Sequence, residues 1–142
     1  MTGTVIVGVD GSETAFKAAS RAAAVAAGLG VELTVVSAHA RDNTEVVEIG
    51  SETWVLDDAE RALEVASKVA DKLRKEHPDL SIRPLAVRGK PQYALIGEAE
   101  RSGAGVLVVG NVGMKGLGRV LGSVASSVAH NAPCDVLIVR TA

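Results

Sequence analysis

Glycines, one carboxylate and one serine are the residues whose spacing could do chemistry. From Val106 to Ser123 the chain reads VLVVGNVGMKGLGRVLGS. The segment opens as a short apolar run, long enough for a buried strand. Gly110, Gly113, Gly116 and Gly118 then interrupt it, and Gly122-Ser123 precedes an apolar pattern of helical spacing. A strand running through a glycine loop into a helix can cradle phosphate. Glycines let the backbone turn and approach an anion, and a helix start offers unpaired N–H groups and the positive end of its dipole. Ser123 either adds a hydroxyl to that cradle or caps the helix. The same layout also serves as a plain connection, so the loop alone leaves both readings open. Gly89-Lys90 precedes Pro91 instead of Ser or Thr, so there is no P-loop, and no G-x-G-x-x-G follows a strand.

The other chemically suggestive residues are scattered. Asp10 lies in the turn Asp10-Gly11-Ser12-Glu13, where Asp10 or Ser12 can cap a helix. Lys115 and Arg119 sit in the glycine loop and either neutralise phosphate or are solvated loop charges, with ligand contact slightly favoured for Arg119. His39, His77 and His130 show no paired metal-ligand spacing, so no metal site is expected. Cys134 is the sole cysteine, which excludes an internal disulfide, and it reads as an inert core thiol.

These residues need a scaffold, and composition limits which one. At 142 residues, 47% hydrophobic and 23% charged, the chain can bury a full core as one domain and is not disordered. The formal net charge is −2 with no basic block, which argues against a nucleic-acid partner. No run is long enough to span a bilayer and no signal peptide is visible, so no membrane association and a cytoplasmic location are expected. Phe16, Trp54 and Tyr93 are the only aromatic residues, so a bound base would lie against aliphatic walls.

Taken in order, the periodicity predicts strands at Thr4–Val9, Val31–Ala38, Leu80–Val87, Ala104–Val109 and Asp135–Arg140. It predicts helices at Thr14–Ala27, Trp54–Glu76, Gln92–Arg101 and Gly122–Asn131. The second helix should bury Leu56, Ala59, Leu63, Ala66, Ala70 and Leu73. His39 to Thr53 reads as a long loop, and Pro84 argues for an edge position or a bulge in its strand. Strands alternating with helices imply an α/β fold, a parallel sheet covered on both faces. Ligands bind such sheets outside the strands' C-terminal ends, where the winding reverses. If the first and fourth strands are neighbours there, Asp10 and the glycine loop face one cleft.

The stretches VIVGVDGSETA, VVGNVG…GSVASSVAHNAP and APCDVLIVR together resemble the universal stress protein family over essentially the whole chain. The resemblance implies one domain over 1–142 with an adenine-nucleotide alpha-hydrolase-like (Rossmann-like) fold, an open five-stranded parallel sheet in the order 3-2-1-4-5 and four helices. It also implies the motif G-x2-G-x9-G-[ST]. Gly110, Gly113 and Gly122-Ser123 match it, but only eight residues, Met114 to Leu121, separate the second glycine from the third.

By this resemblance Asp10 reaches the ribose or base, with Gly8 and Val9 as the floor beside it. Ala38 touches the adenine, and Val109 and Gly110 lie near base and ribose. Gly113, Gly122, Ser123 and Val124 hold phosphate through backbone N–H groups and the Ser123 hydroxyl. The ligand order is ATP first, with Mg²⁺ as its companion, then AMP or cyclic AMP, since a shortened loop suits a shorter phosphate chain. The resemblance further implies a homodimer through strand 135–140 and a binding protein with no catalytic residues. A slow ATP hydrolase and a dimeric regulatory module that binds no nucleotide are the alternatives.

Overall fold

The computed structural model describes residues 3–40, 44–49, 52–112 and 121–141. In chain order the elements are β1 (Val5–Val9), α1 (Glu13–Leu29), β2 (Leu33–His39), β3 (Thr44–Ile49), β4 (Glu52–Asp57), α2 (Asp58–Glu76), β5 (Ile82–Arg88), α3 (Pro91–Ser102), β6 (Val106–Gly110), α4 (Ser123–Asn131) and β7 (Asp135–Val139). Five of the strands form one parallel sheet in the order β5-β2-β1-β6-β7. With β3 and β4 set aside, this is the expected order 3-2-1-4-5. The winding reverses between β1 and β6, where Val5, Ile6 and Val7 pair with Val106, Leu107 and Val108.

The period of two along each strand divides the core into two layers. Val5, Val7 and Val9 of β1, Leu33 and Val35 of β2 and Val108 of β6 face α1 and α2. Ile6, Val36, Leu107 and Val109 face the other way, onto α3 and α4. Helix α1 buries Ala18, Ala19, Ala22, Ala23 and Ala26, a stripe of small side chains that brings its backbone close to the sheet. Both faces are therefore covered, as the near-continuous apolar runs of β1 and β6 require. Pro84 sits in β5, an edge of this sheet, where a missing N–H costs least.

Two expectations are corrected. Residues 39–53 are not one long loop: β2 continues through His39, and β3 and β4 form an antiparallel hairpin with Ile49 opposite Glu52. In the sequence only Gly50-Ser51, which lie outside the described residues, stand between the two strands. Helix α2 accordingly starts at Asp58, not Trp54, because Trp54 and Leu56 belong to β4. The buried stripe of α2 is Ala62, Ala66, Val69, Ala70 and Leu73, and Leu63 is exposed. Among the described residues no helix is long and apolar enough to cross a membrane.

Candidate functional site

A pocket of about 170 Å³ opens at the C-terminal ends of β1 and β6. Its position follows from the sheet order, because connections diverge to opposite faces at the reversal and leave a crevice between them. Gly8, Val9, Asp10, Ala38, Val109, Gly110 and Val124 all line it. Gly122 and Ser123 stand immediately before Val124 at the start of α4. Gly113, Lys115 and Arg119 lie outside the described residues.

The β1–α1 corner is closed by its own side chains. Ser12 is the N-cap of α1, and its hydroxyl accepts from the Ala15 N–H at 3.2 Å. Asp10 does not cap the helix. Its Oδ1 accepts from the Ser12 N–H at 2.9 Å and from the Ser12 hydroxyl at 2.5 Å, so the carboxylate braces the cap. Asp10 is exposed, and it is the one titratable side chain among the described residues lining the pocket.

The β6–α4 corner is built differently. Gly122 is the N-cap of α4 and brings no side-chain hydrogen bond. Ser123 is the first helical residue, not the cap. The first α4 bond runs from the Ser126 N–H to the Gly122 carbonyl at 2.9 Å. The N–H groups of Ser123, Val124 and Ala125 precede that bond and have no intrahelical acceptor. One expected donor is already engaged, since the Gly122 N–H goes to the Asn111 carbonyl at 2.9 Å. The N–H groups at this helix end that lack an intrahelical acceptor are thus those of Ser123, Val124 and Ala125.

The floor and walls are aliphatic. Val36, Leu95, Pro91, Val109 and Val112 line the pocket with Ala38. Gly8 lies close under helix α3: a Cβ there would stand 2.8 Å from Leu95 Cδ1, so the Leu95 side chain would have to shift. Gly110 is similarly close to Thr141, whose Cγ2 would lie 3.3 Å from a Cβ. Sequence reasoning missed Ser12, Thr14, Val36, Pro91, Leu95 and Val112 as lining residues. For Pro91 a signal existed, because a proline opening the helix after an edge strand places that helix end at the C-terminal rim of the sheet.

The remaining residues of interest lie elsewhere. His39 ends β2 and does not line the pocket. His130 Nδ1 is 2.8 Å from the Ser126 carbonyl in the last turn of α4. The half-buried Cys134 thiol is pushed up by burial and further by Asp135, which keeps it protonated and unreactive. Among the described residues no three His, Cys, Asp or Glu side chains gather to hold a metal ion.

Comparison with known proteins gives concordant results. The family model described as "Universal stress protein family" matches residues 1–140. The universal stress protein Rv1636 of Mycobacterium tuberculosis is 34% identical over 97% of this chain and 96% of its own length. A crystal structure of a universal stress protein in complex with cAMP superposes with a TM-score of 0.74 at 32% identity, covering 99% of this chain and 98% of that one. The universal stress protein from Archaeoglobus fulgidus in complex with dAMP gives a TM-score of 0.71 at 26% identity, covering 96% and 97%.

Proposed function

This chain belongs to the universal stress protein family, and from that premise we propose that it is a single-domain cytoplasmic stress-response protein that binds an adenine nucleotide between β1 and β6. One observation carries the reading: the pocket is apolar where a base and ribose would lie and reaches Val124 in the first turn of α4, where three successive N–H groups lack helical acceptors. Adenine would pack on Val36, Ala38, Leu95 and Val109, where aliphatic burial replaces aromatic stacking. Asp10 would meet the ribose hydroxyls through the carboxylate oxygen that Ser12 leaves unused.

A single phosphate fits this helix end better than three. With the Gly122 N–H engaged, Ser123, Val124 and Ala125 offer a compact donor set. The relatives bound to cAMP and dAMP each carry one phosphate. AMP and cyclic AMP therefore move ahead of ATP. Were ATP bound, Mg²⁺ would rest mainly on its phosphates, since Asp10 is the one carboxylate among the described lining residues. Binding without turnover is favoured over slow ATP hydrolysis, because Asp10 is tied to Ser12 and not poised as a base.

Titration calorimetry of nucleotide-stripped protein with AMP, cyclic AMP and ATP tests the reading. Binding of a monophosphate at least as tight as ATP is the expected result. No binding of any adenine nucleotide would overturn it and favour the dimeric module.

We also propose a homodimer through β7. It pairs only with β6 in this sheet, contains no proline and exposes Ile138. The other edge, β5, is blunted by Pro84. Light scattering should give twice the chain mass, reduced to the monomer by Ile138→Lys.

A further inference from the structure

Asn111 follows the pocket-lining Gly110 and makes four hydrogen bonds, none of which requires a ligand. Its N–H donates to the Val139 carbonyl at 2.8 Å. Its side-chain Oδ1 accepts from the Thr141 N–H at 2.9 Å and from the Thr141 hydroxyl at 3.2 Å. Its carbonyl accepts from the Gly122 N–H at 2.9 Å. Thr141 is only 4% exposed, and its methyl group lies over Gly110. The Thr141 carbonyl in turn accepts from Lys17 Nζ of α1 at 3.4 Å.

These bonds form a chain with a direction. The segment after β7 holds the Asn111 side chain, Asn111 holds Gly122, and Gly122 sets where α4 begins. The N–H groups of Ser123, Val124 and Ala125 follow directly. The described residues on either side of 113–120 are thus tied together by the Gly122–Asn111 backbone bond.

We propose that Thr141 and Asn111 form a latch that positions the phosphate-binding end of α4, so that a residue beyond the last strand sets phosphate affinity without touching the nucleotide. The proposal rests on the nucleotide reading above. Its logic is preorganisation: donors aimed at a small anion must be held to within about 0.5 Å, and the latch replaces the side-chain cap that α4 lacks. The base pocket is built separately, by β2 and α3 residues such as Val36, Ala38 and Leu95 that the latch does not support. Loss of the latch should weaken ligands in proportion to what their phosphate contributes.

The experiment compares AMP with adenosine as calorimetric probes on the full chain, with thermal midpoints recorded in parallel. Wild type should prefer AMP. Asn111→Ala should weaken AMP about tenfold and adenosine by less than about twofold. Thr141→Val, which removes one hydroxyl and keeps the shape, should weaken AMP about threefold. Thr141→Ser, which keeps the hydroxyl, should bind as wild type. Should Asn111→Ala not fold, the Thr141 pair carries the test alone. Variants that keep wild-type AMP affinity would overturn the latch while leaving the nucleotide reading intact. Equal losses for AMP and adenosine would overturn it too, since that pattern is general loosening. A wild type that shows no preference for AMP would overturn the phosphate reading and the latch with it.

Discussion

From β1 to α1 the chain takes three residues, Asp10, Gly11 and Ser12; from β6 to α4 it takes Asn111 through Gly122. Both corners border the same cleft and both lead from a buried strand into a helix. At the first, Ser12 caps the helix and Asp10 braces the cap. At the second, the cap is a glycine without a side chain, and the helix N–H groups after it have no internal acceptor. The chain thus caps one helix terminus with its own side chain and leaves the other without a side-chain cap, the terminus proposed above to meet phosphate.

The largest effect is expected from making the second corner resemble the first. Gly122→Asp introduces a carboxylate at the α4 N-cap, where it competes with phosphate for the same N–H groups. AMP affinity measured by calorimetry should fall by about 10- to 100-fold, while the folded state keeps or slightly gains stability. Unchanged affinity would mean that the α4 terminus is not the phosphate site.

A smaller effect should come from the floor the two corners share. Gly8→Ala sets a Cβ against Leu95, a lining residue of the cleft, whose side chain must shift to accept it. Chemical denaturation should show a loss of about 1–3 kcal/mol, with weaker adenosine binding alongside. The smallest effect is expected at the finished corner. Ser12→Ala removes the α1 cap and should lower stability by about 1 kcal/mol, while AMP affinity stays within about threefold. An affinity loss larger than that of Gly122→Asp would reverse the assignment of the corners.

What the sequence made legible was whatever depends on local pattern. The apolar runs at β1, β2 and β6 and the alanine spacing of α1 have strong periods, and the sheet order came from resemblance. The β3–β4 hairpin was missed because its strands mix glutamates with valines and alternate poorly, although Gly50-Ser51 between β-branched runs was a usable signal. The stripe on α2 was misplaced because Trp54 and Leu56 extended a helical period that β4 interrupts. At the cleft, Asp10 and Gly110 could be read from their strand ends, and Gly8 and Val109 came from the resemblance. The engagement of Gly122 and the role of Thr141 could not, because both depend on partners that only tertiary structure brings near.

The pairing of Val5 with Val106 also has a consequence for biosynthesis. One wall of the cleft leaves the ribosome about 100 residues before the other. Until then β1 can pair with β2 on one side only, with its other edge unpaired. Over that interval the nascent chain carries an exposed apolar edge, which β6 must close. At roughly 5–20 residues per second that wait lasts several seconds, long enough for a chaperone to bind.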